Sequence, residues 1–326
     1  MDTRIAMDTI VFLCNPAMKS LVLLDQLPDD VHVAVGLDPA AFVNVIDEAN
    51  ILVLNTDDQA LISQTFLAAP NLKWVHSLMA GLERKLVPEI RESELPLTNA
   101  RGVYKESLGE FVLTSCLYFA KDLRRMINQQ REGKWLPYTV EEVAGKTMGI
   151  IGYGEIGQAS ARRAQAMGMR VIGVRRHPEK SEGDPYAERV VSFEERKSVM
   201  AESDYVVVAA PNTPETRDLI DRDELAAMKP TGVLINVGRG PVVNEAALID
   251  VLQRGAILGA SLDVFNQEPL PEGHPFYSLE NVLLSPHCAD NTPTWLEDSM
   301  EFFLANYKRF RNGEPLQNIV NKQLGY

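Results

Sequence analysis

The sequence predicts an α/β protein made of two doubly wound parallel-sheet domains. Three observations carry this reading. Short apolar runs rich in β-branched residues alternate with helical stretches along the chain, the pattern of parallel sheets covered on both faces. At 326 residues the chain has room for about two domains of ordinary size. Near the middle, Lys146-Thr-Met-Gly-Ile-Ile-Gly-Tyr-Gly-Glu-Ile-Gly157 sets a glycine turn between a buried strand and a helix.

Residues 10–14, 31–35, 51–55 and 72–76 read as strands, with 97–100 as the last of this group and helical stretches such as 39–48 between them. They make one small unit without a phosphate loop. Residues 107–128 read as one long helix whose apolar face is Phe111, Leu113, Leu117, Phe119, Leu123, Met126 and Ile127. Gly133-Lys-Trp-Leu-Pro137 ends it. The second sheet takes six strands: 148–151, 170–174, 205–209, 233–236, 258–262 and 282–284. Residues 295–311 form a final amphipathic helix, and the tail from Asn318 returns to the first domain. The smaller domain is therefore discontinuous, 1–103 with 292–326, and 104–291 is the insertion, with a cleft expected between the two.

The glycine turn has a specific chemistry. Gly152 permits the tight turn, Gly154 lets backbone approach a pyrophosphate, and Gly157 lets helix and strand pack closely. Residues 158–167 read as the helix that follows, so its exposed N–H groups and positive dipole end face the phosphates, with Glu155 and Ile156 in the turn before it as further cofactor contacts. This arrangement binds a dinucleotide. After the next strand stand Arg175, Arg176 and His177, where an NAD site carries an acid for the ribose hydroxyls. Guanidiniums there suit a 2′-phosphate, so NADP(H) is preferred, with NAD(H) the alternative.

Composition narrows the partners. A formal charge of −13 disfavours nucleic acid or an anionic membrane as the main partner. No apolar run approaches the length of a membrane span. The stretch Met1-Asp-Thr-Arg-Ile-Ala lacks the features of a secretion leader. Cys14, Cys116 and Cys288 give neither a disulfide framework nor metal-ligand spacing, so a reduced cytoplasmic setting is expected.

Three further motifs follow successive strands of the second sheet, at the ends where open α/β sheets bind ligands: Asn236-Val-Gly-Arg-Gly240, Ser261-Leu-Asp-Val-Phe-Asn-Gln-Glu-Pro-Leu270 and Leu284-Ser-Pro-His-Cys-Ala289. Taken singly they read equally as a salt-bridged Arg, a surface Glu and a capped loop His. Together with the glycine fingerprint and Pro211-Asn-Thr-Pro-Glu-Thr216, the chain resembles the D-isomer-specific 2-hydroxyacid dehydrogenases over nearly its whole length. The basic residues after the second strand look most like the glyoxylate/hydroxypyruvate reductase branch.

The resemblance implies a flavodoxin-like substrate domain, a Rossmann cofactor domain and a catalytic set of Arg239, Glu268 and His287. The chemistry of these side chains fits such roles. A guanidinium binds the carboxylate of a 2-oxoacid and polarises its ketone. An imidazole titrating near neutrality gives a proton to the carbonyl oxygen. A carboxylate on the other ring nitrogen orients the ring, and no metal is required. By the same resemblance Asp263 contacts the nicotinamide side. Ala210, Pro211, Thr216, Val237 and Gly238 line the cofactor trough, and Met79, Ala80 and Gly81 hold the substrate carboxylate. The ordinary alternatives are a cap for Asp263 and a plain turn for residues 79–81.

His76 reads as structural. Trp135 reads as core, the alternative being the reach toward a partner's active site found in some relatives. The helix starting near Ser107 is expected to pair two subunits into a homodimer. Two rival functions remain: an NAD-linked dehydrogenase of a bulkier D-2-hydroxyacid, and a dinucleotide-sensing regulatory protein on the same fold.

Overall fold

The computed structural model describes residues 7–326; the leader expectation at the first six residues lies outside the described residues. The chain divides into two compact units, Met1–Val103 with Thr292–Tyr326, and Tyr104–Asn291.

In the first unit β1 (Asp8–Leu13), β2 (Val31–Gly36), β3 (Ile51–Leu54), β4 (Trp74–Ser77) and β5 (Leu97–Asn99) form a parallel sheet in the order β2-β1-β3-β4-β5. The central β3 is apolar and buried at every position because both faces of the sheet are covered. Ile10, Phe12, Ile51, Val53 and Trp74 meet Met300, Phe303, Leu304 and Tyr307 of the final helix, Trp295–Arg311. Val11, Leu13, Leu52, Leu54 and Val75 face the other way, toward Leu61 and Ile62 of α1 (Gln59–Ala68) and Ile90 of α2 (Pro88–Glu92). The Phe303 ring lies edge-on to Phe12 at 5.3 Å and stacks on Trp74 at 5.5 Å. The tail does return to this unit: Ile319 bridges Thr98 antiparallel, and the Val320 N–H donates to the Leu97 carbonyl.

The helix expected over 39–48 is instead two short 3-10 turns, Pro39–Ala41 and Ile46–Glu48. The Asp38 side chain caps the first, but no capping hydrogen bond starts a longer helix from Val45. A nucleus this short is too costly to propagate.

The second unit begins with α3 (Lys105–Ala120) and α4 (Leu123–Arg131), which replace the single helix expected over 107–128. Asp122 breaks it. It adopts a left-handed conformation, φ 47°, and its carboxylate accepts the Arg125 N–H to start α4. α3 packs inward through Leu108, Gly109, Val112, Ser115, Cys116 and Ala120, while Phe111, Leu113, Leu117, Phe119 and Leu123 of the apolar face read from the sequence are half-buried. Met126 and Ile127 are exposed. Trp135 is not core, being 94% exposed.

There follow β6 (Thr147–Ile151), α5 (Glu155–Ala166), β7 (Arg170–Val174), β8 (Arg189–Val191), α6 (Arg196–Glu202), β9 (Tyr205–Val208), α7 (Arg222–Ala227), β10 (Val233–Asn236), α8 (Glu245–Gln253), β11 (Gly259–Leu262) and β12 (Val282–Leu284). The sheet is parallel, in the order β12-β11-β10-β9-β6-β7-β8. It has seven strands where the sequence suggested six. The addition is β8, three half-buried residues at the edge beside β7, too short and too polar to stand out as an apolar run.

The final helix should be the keystone of the first unit. Phe303→Ala removes a fully buried ring and should cost about 3–5 kcal/mol. Urea unfolding with an unchanged midpoint would refute that.

Candidate active site

The fold brings the ends of β6, β7, β9, β10, β11 and β12 to one edge of the second sheet, because all run in the same direction. That edge carries every motif the sequence singled out in this unit.

Gly152 leaves β6 at φ 100°, and a Cβ there would sit 2.5 Å from the Ala210 nitrogen at the end of β9. Only glycine fits that approach. α5 then starts at Gly154 with no side-chain cap, so the N–H groups of its first turn, from Glu155, Ile156 and Gly157, are not taken by a side-chain cap. A Cβ on Gly154 would meet open space, whereas one on Gly157 would press on the Gly152 carbonyl at 2.9 Å. Uncapped donors facing clear space fit a pyrophosphate. The Glu155 carboxylate turns to Lys105 at 3.0 Å, so its charge is countered.

Arg175 follows β7 directly, and its guanidinium donates to Ser181 Oγ at 2.6 Å. Arg176 lies 3.7 Å from Glu215. Thr216 is buried and its hydroxyl bonds the Pro211 carbonyl and the Thr213 N–H, so this side chain shapes the turn after Ala210 and Pro211. A hollow of about 500 Å³ beside residues 178–190 is lined by Glu179, Glu182, Asp184, Glu188 and Arg189, with Glu188 paired to Arg170.

Arg239 is held between two tight backbone approaches. A Cβ at Gly238 would lie 2.6 Å from the Ala210 carbonyl oxygen, and one at Gly240 would overlap the Phe265 backbone. Asn236 braces the same turn, accepting from the Gly238 N–H at 3.1 Å and donating to the Arg239 carbonyl at 3.1 Å. Val237 is buried, its N–H on the Val208 carbonyl.

Glu268 accepts the Phe265 N–H through Oε1 at 2.9 Å and pairs with His287 Nδ1 through Oε2 at 2.7 Å. His287 itself sits at φ 51°, a strained conformation for a non-glycine residue. Asp263 holds the loop that imposes it. One oxygen of this buried carboxylate accepts from Ser285 Oγ at 2.6 Å and from the backbone N–H groups of Cys288 and Ala289 at 3.0 and 3.1 Å. Its geometry is thus that of an anchor; Ser285, which completes it, carried no signal in the sequence. Cys288 Sγ lies 3.5 Å from Ser285 Oγ, on the anchored side of the loop.

The hydrogen bond that the His287 ring gives to Glu268 is the main influence on His287 and raises its pKa above the ordinary 6.5, against burial and the charge of Arg239. Burial is the largest influence on Glu268 and pushes its pKa up. The bonds from His287 and the Phe265 N–H, with the charges of His287 and Arg239, outweigh it and hold the carboxyl below its usual range. Arg239 is therefore electrostatically coupled to both partners. Half-buried Asp290, also unsignalled in the sequence, is raised by burial and then by Asp263.

In the first unit, Ser77 Oγ takes the Met79 N–H at 3.1 Å, and Asn99 donates to the Ala80 carbonyl at 2.7 Å. The 79–81 turn is thus fixed from within, with Met79's own N–H already used. His76 is buried, its Nδ1 2.7 Å from Thr98 Oγ1, and burial pushes its pKa down to about 3. It is a structural histidine.

A parallel sheet with a glycine turn at its centre, and an Arg, a His and a Glu at its carboxyl edge, defines the class of pyridine-nucleotide oxidoreductases. The family profile described as "D-isomer specific 2-hydroxyacid dehydrogenase, NAD binding domain" matches residues 113–289. A glyoxylate reductase of Thermococcus gammatolerans is 37% identical over 272 residues, 80% of each chain. Glyoxylate/hydroxypyruvate reductase B of Serratia proteamaculans is 35% identical over 274 residues, 82% of each. An NADPH-dependent glyoxylate/hydroxypyruvate reductase of Sinorhizobium meliloti, solved with NADP and sulfate, superposes with a TM-score of 0.83 at 27% identity, covering 98% of this chain and 100% of that one. The chain belongs to the D-isomer-specific 2-hydroxyacid dehydrogenase family.

The His287–Glu268 pair gives a signed expectation. With its folded pKa raised, protonated His287 contributes stability in full below about pH 6.5, lost as pH rises through the folded value. Glu268 works at the other end, its contribution present above the ordinary carboxylate pKa and lost as pH falls through the depressed one. Glu268→Gln should therefore lower the His287 midpoint in an NMR titration, and an unmoved midpoint would contradict the assignment.

Proposed function

We propose that the protein is an NADPH-preferring reductase of small 2-oxoacids, glyoxylate and hydroxypyruvate first, yielding D-2-hydroxyacids. The observation that carries this reading is the 2.7 Å His287–Glu268 pair under the charge of Arg239, at the same sheet edge as the glycine turn. The relatives named as glyoxylate and hydroxypyruvate reductases support the substrate class, and the neighbour solved with NADP supports the cofactor. Residues 104–291 are the dinucleotide-binding domain in this reading, and 1–103 with 292–326 the substrate domain.

Each side chain has one task. Arg239 binds the substrate carboxylate and polarises the adjacent ketone. Ala80 and Gly81 of the 79–81 turn remain assigned to the substrate carboxylate, whereas Met79's N–H is engaged by Ser77 Oγ and drops out of that role. A dinucleotide held by its pyrophosphate at the glycine turn would supply the hydride for the carbonyl carbon. Protonated His287 donates through Nε2 to the carbonyl oxygen, completing the hydroxyl, while Glu268 on Nδ1 keeps the ring charged and aligned. Asp263 holds the His287 loop and lies beside the nicotinamide side of the trough formed by Ala210, Pro211, Thr216, Val237 and Gly238. Arg175 and Arg176 take the 2′-phosphate.

His287→Ala should lower kcat by about a hundredfold to ten-thousandfold while NADPH still binds by fluorescence titration. Near-normal kcat would remove the proton-donor role. Arg175→Asp should cut kcat/KM with NADPH far more than with NADH. A wild-type enzyme that uses NADH at least as well as NADPH would defeat the cofactor assignment.

A homodimer is assigned to the surface of α3 and α4. Its support is the exposed Met126, Ile127, Trp135, Leu136 and Val140 in and after α4. Sedimentation at micromolar concentration should give twice the chain mass; a monomer there would overturn it.

A further inference from the structure

The second residue of the glycine turn, Tyr153, is fully buried, although the fingerprint asks nothing of that position. Its ring lies over β7 at Gly173, where a Cβ would stand 2.6 Å from the ring, so no larger residue leaves room for it. The phenol then reaches beyond the strand and donates to Asp184 Oδ1 at 2.9 Å. That oxygen also accepts the Tyr186 and Ala187 N–H groups at 2.9 and 3.3 Å, and Gln158 of α5 lies 3.4 Å from the other oxygen.

Asp184 belongs to the segment that follows Arg175. Its N–H donates to the Ser181 carbonyl at 3.1 Å, and Ser181 Oγ accepts from the Arg175 guanidinium at 2.6 Å. Ser181 is buried, so it fixes the guanidinium against a rigid partner. A continuous chain thus runs from the pyrophosphate turn through Tyr153, Asp184 and Ser181 to Arg175. Arg175 also lies close enough to Tyr153 to act on its hydroxyl electrostatically.

We propose that Tyr153 and Asp184 are a positioning pair that ties the glycine turn to the 175–187 segment and so sets Arg175 for the 2′-phosphate of the cofactor. This rests on the reading of Arg175 given above. A free arginine side chain loses much rotamer entropy when it binds a phosphate, and one already held by a buried partner loses less. The pair therefore acts on NADPH binding and on the choice between cofactors, and leaves the chemistry at His287 untouched.

Steady-state kinetics with glyoxylate and each reduced cofactor test this on Tyr153→Phe, Asp184→Ala and Asp184→Asn, with melting temperature measured in parallel. Removing these hydrogen bonds should raise the KM for NADPH about three- to thirtyfold, with kcat and the KM for NADH within about twofold of wild type. Asp184→Asn keeps an acceptor oxygen and should restore most of the NADPH affinity lost in Asp184→Ala. The Tyr153→Phe/Asp184→Ala double variant should be no worse than the weaker single, because both break one linkage. Tyr153→Phe retains the buried ring and serves should Asp184→Ala fail to fold. A wild type that prefers NADPH, with Tyr153→Phe unchanged in its KM, would overturn the pair alone. Equal losses toward NADH and NADPH would overturn it too, leaving a structural role. A wild type without NADPH preference would overturn the Arg175 reading and the pair together.

Discussion

One oxygen of the Asp263 carboxylate accepts three hydrogen bonds, from a serine hydroxyl and two backbone N–H groups of the loop after β12. A carboxylate that is almost fully buried is tolerated only when so engaged. The constraint works in both directions, since the loop that satisfies the carboxylate has little freedom left. His287 is the residue in the left-handed conformation within that loop. Its backbone is held from β11 and its ring is held by Glu268, so both position and proton affinity are set before any substrate arrives. Arg239 is restrained by a different device, the closeness of Gly238 and Gly240 to neighbouring backbone. The charge of Arg239 acts on both Glu268 and His287.

The cofactor end of the sheet follows the same principle with weaker means. The chain carries a formal charge of −13, so anionic ligands must be drawn by local groups and not by the overall field. In the proposed reading, the uncapped N-terminus of α5 and two adjacent guanidiniums supply them. Nearby acids are balanced rather than absent: Glu155 faces Lys105, and Glu215 faces Arg176. The hollow beside residues 178–190 lies on the segment that Asp184 fastens to the fingerprint.

Much of this was legible in the sequence. Strands buried on both faces announce themselves as apolar runs, and a glycine turn set between strand and helix marks a close backbone approach. The motifs that carry Arg239, Glu268 and His287 stand out because each follows a strand of one sheet, but it is the family resemblance that joins these three side chains into one set. The failures share a cause. β8 is three half-buried residues, the 39–48 segment has too little helical nucleus, and the break at Asp122 comes from a single capping side chain. The apolar face read on α3 is not the one it packs inward: the helix buries Leu108, Gly109, Val112, Ser115, Cys116 and Ala120, a mixture of small and apolar residues that no single large-residue stripe reveals. Trp135 shows the converse: a large apolar residue is not thereby buried.

What the amino-acid order determined by itself was the periodic and the local: which segments become strands, where the phosphate-facing turn lies, and which side chains have the chemistry of a dehydrogenase. Those properties depend on near neighbours in the chain, so they can be read along it. Only the tertiary structure decided how Asp263 spends its hydrogen bonds, which face of α3 is covered, and that Tyr153 reaches Asp184. Each of these joins residues brought close by the crossing of strands and helices, and such pairings are set by the packing of the whole sheet.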